Sequence, residues 1–480
     1  MLALLFGLVE DLDERVDLLE KARLGVLEAV AQAEADPMRP GYHFRPAARW
    51  MNDPNGPIFH NGWHHMFYQH NPYGNGWGHM HWGHARSRDL VNWEHLPIAI
   101  WPTKSQQEDH IYSGSTFILN SGKPGIFYTS ISDSRPPEQW IANPVDNDLI
   151  EWAKPAANPI VSTQTHAPTV IDEWRDPFLV NLRGSTYMFC GGRHQGKGAV
   201  SAYRAKNEAL TEWEFVDVVF HHPNIDLIEC PNLVQIGKRW VLFTSEAGRI
   251  EAFVGHLDSR TLKFTADHSQ IVADGSYASQ WMKDGQGRNI FFSWINTEHS
   301  NRGHGFGWNG VLSLPTEITL NSQNEVIHQP LPEFEQLRGS KTELKDLAVV
   351  GELDLSSKIS GDMLELQLEI EAGNAQSVEI QLRKTADRHH SLTWDVQNSV
   401  IKSTGRPDAK IKPGKTLKLR LFLDRMVLNV FAQDGELFQS MAIDRQLTGV
   451  GFGMATQGGE AKVKVLRVWK MKPATFIGKK

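Results

Sequence analysis

The stretches DLVNW at 89–93, DLIEW at 148–152 and ALTEW at 209–213 each place a leucine three residues ahead of a tryptophan, and they recur about 60 residues apart. That period is too long for a hairpin and suits a blade of four short strands with generous loops. Around these copies, from about residue 40 to 318, runs such as HHMFYQ, STFIL, GIFYTS, STYMFC, WVLFTS and NIFFSW stand between Gly, Pro, Asn and Asp. Such punctuation marks an all-β region. At that period residues 40–318 make five blades of a β-propeller; a β-sandwich is the alternative arrangement of the same strands.

Working outward, residues 319–340 are polar and without a clear period, which places a linker there. Residues 341–480 change texture again. MLELQLEIE at 363–371 puts Leu364, Leu366, Leu368 and Ile370 on one face, and TLKLRLFLD at 416–424 does the same with Leu417, Leu419, Leu421 and Leu423. Strict alternation buries one face per strand, the pattern of an antiparallel β-sandwich. On the other side, residues 1–39 form a helical extension. A short helix is expected over 10–35, with Leu12, Val16, Leu19, Arg23 and Val26 near helical spacing and Pro37 closing the run. Arg23 interrupts that stripe, so the helix is read as a surface element.

At 480 residues the chain is long enough for two cores. A formal charge of −7 gives nucleic acid or an anionic membrane no electrostatic reason to bind, and favours a neutral small-molecule partner. Two cysteines exclude a disulfide framework. The apolar run opening MLALLFGLVEDLDER has no basic residue ahead of it and acids directly after, which reads poorly as a signal peptide. A cytoplasmic location is the resulting expectation. Sixteen tryptophans, most of them before residue 310, also turn attention to saccharides, because flat rings stack on sugar faces.

Cleaving a glycosidic bond with retention needs one carboxylate to attack the anomeric carbon and one carboxylic acid to protonate the leaving oxygen. Three acids stand in suitable settings. Asp53 lies in WMNDPNGP, where Pro54 and Gly56 make a rigid turn. Asp176 lies in WRDPF, where the adjacent Arg175 is expected to keep it ionised. Glu229 lies in IECPNL between apolar neighbours, a setting that suits a general acid. Singly, each Asp-Pro reads more readily as a turn and Glu229 as a strand-end charge.

Together with FYQHNP, HWGHARSRDLVNWEHLPIAI, YSGSTF and GWNGVLSLPTEI, these segments occur in order across residues 43–318. The series resembles glycoside hydrolase family 32, the invertases, levanases, inulinases and sucrose-6-phosphate hydrolases, and DRMVLNVFAQDGE at 424–436 resembles that family's C-terminal domain. The resemblance implies a five-bladed propeller followed by a β-sandwich, and release of terminal fructose from sucrose or fructans through a covalent fructosyl-enzyme. It implies Asp53 as nucleophile, Glu229 as acid/base and Asp176 as transition-state stabiliser. It further implies that Asn52, Gln69, Trp77, Ser113 and Arg175 line the fructose pocket, with Tyr112, Tyr277 and Trp308 as wall residues. Fructosyl transfer to a sugar acceptor, or fructan binding without turnover, are the other activities such a scaffold admits.

The sequence departs from the family pattern at Asn232, where Asp is common, at Thr316, where Arg is common, and at Asn429, where Glu is frequent. Asn232 is expected to alter the charge around Glu229. A phosphorylated substrate would require a basic cluster at the mouth of the site, for which Lys104, Arg135 and Arg193 are the candidates. His79, His81 and His84 have zinc-like spacing but fall in the HWGHA segment of a family that needs no metal, so neither metal nor cofactor is expected. Cys230 has no histidine constellation around it and is read as packing at the edge of the site.

Overall fold

A computed structural model describes residues 3–246, 248–298 and 305–478, with side chains from residue 16 onward. Residues 49–330 form five blades of four principal antiparallel strands. Blade one runs Arg49–His60, Trp63–Asn71, His81–Ser87 and Trp93–Ile100; blade two His110–Ile118, Pro124–Ile131, Glu138–Pro144 and Trp152–Ala153. Blade three runs Asp172–Leu182, Ser185–His194, Lys197–Ala205 and Trp213–His221; blade four Glu229–Ile236, Arg239–Glu246, Arg249–Leu257 and Phe264–Asp274. Blade five contains Tyr277–Lys283, Asn289–Ile295, Thr316–Leu320 and Val326–Pro330, and the short strand Trp308–Asn309 pairs in parallel with Arg49 and Trp50 to close the ring.

The tryptophan repeat marks blades because each copy is the same turn. Leu90, Leu149 and Leu210 are buried at φ of 62°, 58° and 55°, a left-handed conformation that leucine adopts only when held. Ser87, Asp146 and Asn207, each three residues before its leucine, accept amides from the residues that follow, and the tryptophan opens the outermost strand. In two copies the indole N–H closes the turn, Trp152 onto the Leu149 carbonyl and Trp213 onto the Leu210 carbonyl, both at 2.9 Å. Blade four holds a fourth copy that the pattern conceals: Leu262 sits at φ 58° two residues before Phe264, and Asp258 accepts the amides of Arg260 and Thr261.

Residues 319–340 are not simply a linker. They supply the outer hairpin of blade five through Val326–Pro330, then a short 3-10 turn, Pro332–Leu337, and the start of the first sandwich strand, Arg338–Asp354. Their polarity belongs to an exposed blade edge. In the sandwich the two alternating segments pair face to face, with Leu364 opposite Leu423, Leu366 opposite Leu421, Leu368 opposite Leu419 and Ile370 opposite Leu417. All eight are buried, and burial of each such side chain contributes about 1.5–3 kcal/mol. The long strand Gly451–Met471 pairs with Ser377–Lys384 at one end and Met363–Glu371 at the other, so it joins these two groups of sandwich strands.

The sandwich is fixed to the propeller by an apolar cluster shared between Phe291 and Val326 of blade five and Phe422, Phe431 and Phe438 of the sandwich, and by polar and backbone contacts. Phe476–Gly478 returns to run parallel to blade one at Trp93–His95, and Asp274 of blade four pairs with Gln439. Both ring nitrogens of buried His43 meet oxygens of the sandwich, Nδ1 at 2.9 Å from Asp424 and Nε2 at 2.6 Å from Asn429.

The N-terminal helix spans Ala3–Glu34, longer than expected, and buries a different face. Ala22, Gly25, Ala29 and Ala33 point inward, whereas Val16 is 61% exposed; the side chain of Leu12 lies outside the described residues. The cause is backbone proximity: a Cβ on Gly25 would lie 2.7 Å from the Pro72 carbonyl oxygen, so only small residues fit against this rim. Among the described residues no helix is long and apolar enough to cross a membrane.

Candidate active site

Each blade's innermost strand is bulged at one level. The pairing register slips between Met51 and Pro54, Ile111 and Gly114, Glu229 and Asn232, and Tyr277 and Gln280; in blade three Arg175 and Phe178 pair with Gly191 and Phe189. A bulge re-aims side chains, and these five turn Asn52 and Asp53, Tyr112 and Ser113, Asp176, Cys230, and Ala278 and Ser279 out of the ladder. Asp176, Cys230 and Ala278 take φ of 60°, 48° and 53°, so the strands are locally strained where these groups meet.

Cys230 ties the three acids together. Its backbone N–H donates to Asp176 Oδ2 at 2.8 Å, its thiol reaches Asp53 Oδ2 at 3.7 Å, and Glu229 is its neighbour in sequence. Asp53 is oriented further by Ser113 Oγ, 2.5 Å from Oδ2, and by Asn52 Nδ2, 3.0 Å from Oδ1. Asn52 is held in turn by the Trp50 indole at 2.7 Å. Asp176 also donates its own amide to Thr129 Oγ1 at 2.9 Å.

Arg175 does not serve Asp176 as expected. Its Nη2 lies 2.5 Å from Glu229 Oε1 and its Nη1 2.8 Å from Glu173, while its Nε is 4.0 Å from Asp176. Burial, opposed by Arg175 and reinforced by Glu229, therefore pushes the Asp176 carboxyl up to about 7. Burial also raises the Asp53 carboxyl, against the hydrogen bonds of Ser113 and Asn52. Glu229 differs from expectation in its surroundings: its sequence neighbours Ile228 and Cys230 are buried, but its carboxyl meets Arg175 and the Tyr277 hydroxyl, which donates to Oε2. Burial first, and the Glu229 carboxylate second, push the Tyr277 phenol far above its ordinary value.

The remaining expected residues divide. Trp77 is 53% exposed and stands 5.4 Å from the His110 ring and 6.0 Å from Tyr112, an open aromatic rim. Gln69 is buried on the second strand of blade one. Trp308 has no open face. It is 1% exposed under the N-terminal helix, and its indole donates to Asp36 at 2.8 Å, so it is a packing residue and not a wall. Of the histidines in HMHWGH, His81 Nδ1 donates to the His79 carbonyl and His84 meets His65, so the three do not converge. Glu173, Thr129 and the hydrogen-bonding part played by Cys230 were missed by sequence reading, since only the folded register brings them to the acids.

The model for the glycosyl hydrolases family 32 N-terminal domain matches residues 43–330, and that for the family's C-terminal domain matches 333–470. The chain is 28% identical to a levanase of Bacillus subtilis, over 90% of this chain and 70% of that protein. It is 29% identical to a sucrose-6-phosphate hydrolase of Zymomonas mobilis, over 83% of this chain and 84% of that one. A β-fructofuranosidase of Bombyx mori, solved in complex with sucrose as a variant, superposes with a TM-score of 0.79 at 26% identity, over 95% of this chain and 99% of that one.

Proposed function

The chain belongs to glycosyl hydrolase family 32, a fructosyl hydrolase, and on that premise we propose that it is an exo-acting, retaining β-fructofuranosidase that takes unphosphorylated sucrose and short fructo-oligosaccharides. The observation that carries this reading is the convergence of Asp53, Asp176 and Glu229 around Cys230. In the first step an Asp53 carboxylate oxygen attacks C2 of the fructosyl unit as the C2–O bond to the leaving sugar breaks, and Glu229 gives that oxygen its proton. In the second, Glu229 takes a proton from water, whose oxygen attacks C2 and expels Asp53. Ser113 and Asn52 hold Asp53 in line, and Asp176, with its N–H and thiol-bearing neighbour fixed, is available to bond sugar hydroxyls.

The preference for an uncharged substrate rests on the three cations that the sequence offered for phosphate recognition. Lys104 lies 2.8 Å from Asp109, Arg135 3.0 Å from Glu138 and Arg193 3.1 Å from Asp226. Each of these candidates is paired with an acid.

The test compares Asp53→Ala and Glu229→Ala on sucrose and on nitrophenyl β-fructofuranoside, whose leaving group needs no proton. Asp53→Ala is expected to lose both activities; Glu229→Ala is expected to lose sucrose cleavage and recover part of kcat/KM on the aryl substrate. Retention of wild-type turnover by Asp53→Ala would discard the assignment.

A further inference from the structure

Between the outermost strand of blade three and Glu229 at the start of blade four runs the segment His222–Ile228, HPNIDLI. Its backbone lies directly on blade three. Gly198 donates to the Ile225 carbonyl at 2.9 Å, Ile228 donates to the Gly192 carbonyl at 3.2 Å, and a Cβ on Gly191 would lie 2.4 Å from the Ile228 carbonyl oxygen. The far end of the segment is held by one side chain. His222 is 1% exposed, and its Nδ1 accepts the backbone amides of Asn224 at 3.1 Å and Ile225 at 3.3 Å. Its Nε2 faces Glu251 Oε2 at 3.2 Å.

These contacts fix the tautomer. A nitrogen that accepts two amides carries no proton, so the proton of the neutral ring sits on Nε2 and is donated to Glu251. The same tautomer decides against a metal. His222, Glu246 and Glu251 bring ligand atoms within 4.8 Å of one another, but a cation on Nε2 would force the proton onto Nδ1, against two N–H donors. Glu246 is in addition paired with Arg249 at 3.5 Å, and Phe220 and Phe253 pack on the imidazole.

We propose that His222 is a positioning residue for the acid/base: with Glu251 setting its tautomer, its Nδ1 closes the turn from which the chain delivers Glu229 to the Asp53 face. The residue touches no reacting atom, and the proposal rests on the reading of Glu229 as the proton donor. Asparagine at this position offers its side-chain oxygen to the amides two and three residues on, as Nδ1 does, whereas glutamine reaches toward Glu251 and leucine offers nothing.

The experiment measures kcat/KM for sucrose and for nitrophenyl β-fructofuranoside in His222→Asn, His222→Gln, His222→Leu and the Glu229→Ala reference, with thermal midpoints alongside. His222→Leu and His222→Gln are expected to lose about tenfold or more on sucrose and under about threefold on the aryl substrate, a fraction of what a general acid contributes. His222→Asn is expected to stay within about threefold on both. Equal losses on the two substrates, wild-type sucrose turnover in the glutamine variant, or failure of asparagine to rescue would overturn the proposal. So would stoichiometric Zn2+ bound by the wild-type protein and lost from His222→Asn. If Glu229→Ala lost both substrates alike, the acid/base reading would fall separately. Should His222→Leu not fold, the asparagine and glutamine variants decide the matter.

Discussion

Replacing Asp176 by asparagine should stabilise the protein at alkaline pH while removing its activity. The buried carboxyl is raised from an ordinary value of 3.8 to about 7. A carboxyl whose folded value exceeds its unfolded value holds its proton more tightly in the native state. Its contribution therefore favours the fold at low pH and is lost as pH climbs from about 4 through about 7. The interval is worth about 4 kcal/mol at about 1.4 kcal/mol per pH unit. The substituted amide does not titrate, and its side-chain oxygen can still accept the Cys230 amide that Asp176 now accepts at 2.8 Å. The difference in stability between variant and wild type should accordingly be near zero at pH 4 and grow to a few kcal/mol in favour of the variant by pH 8. Thermal midpoints of both proteins, recorded from pH 4 to 9, provide the measurement. A variant no more stable than wild type at pH 8, or a gain that does not depend on pH, would refute the reasoning that this carboxyl is held against its own solvation.

Other outcomes follow from single contacts. With Lys104, Arg135 and Arg193 each paired to an acid, kcat/KM on sucrose 6-phosphate should not exceed that on sucrose; a tenfold preference for the phosphorylated sugar in a substrate panel would contradict it. Asn232 donates its amide to the Cys230 and Ser279 carbonyls at 3.1 and 3.0 Å and accepts the Trp281 N–H at 3.0 Å. A carboxylate there cannot donate, so Asn232→Asp should cost about 1–3 kcal/mol at neutral pH and recover as the pH falls and the new carboxyl gains its proton; a loss that is flat with pH in thermal melts would argue otherwise.

The blades were legible because Leu90, Leu149 and Leu210 perform one backbone task with the same side chains. The sandwich was legible because Leu364 to Ile370 and Leu417 to Leu423 alternate without interruption. What escaped reading has either a local variation or a partner far along the chain behind it. The fourth turn, at Leu262, was hidden because Phe264 replaces tryptophan and the spacing shortens by one residue. The inward face of the helix was misjudged because proximity to the Pro72 carbonyl selects Gly25, and close approach of Gly307 accompanies Ala29 and Ala33, where Leu or Val was expected. Trp308 looked like a sugar platform until Asp36, two residues past the end of a helix that periodicity had set apart as surface, claimed its indole.

The site was legible in its acids and not in their relations. Neighbouring residues in a strand point to opposite faces, so adjacency of Arg175 and Asp176 says little about their contact; the bulge sends the guanidinium to Glu229 and the carboxyl to the Cys230 amide. That exchange alters the chemistry. Burial of Asp176, added to by Glu229, outweighs the opposing Arg175, whose guanidinium is also paired with Glu229 and Glu173, which is why the Asp176 carboxyl holds a proton far above the ordinary range. It also couples the acids mechanically. Cys230 bonds Asp176 through its amide and Asp53 through its thiol while being covalently joined to Glu229, so a shift of the acid/base must move a partner of the nucleophile as well. The contacts of His222 on the turn before Glu229 act at the one end of this linkage where the chain is not already inside a strand.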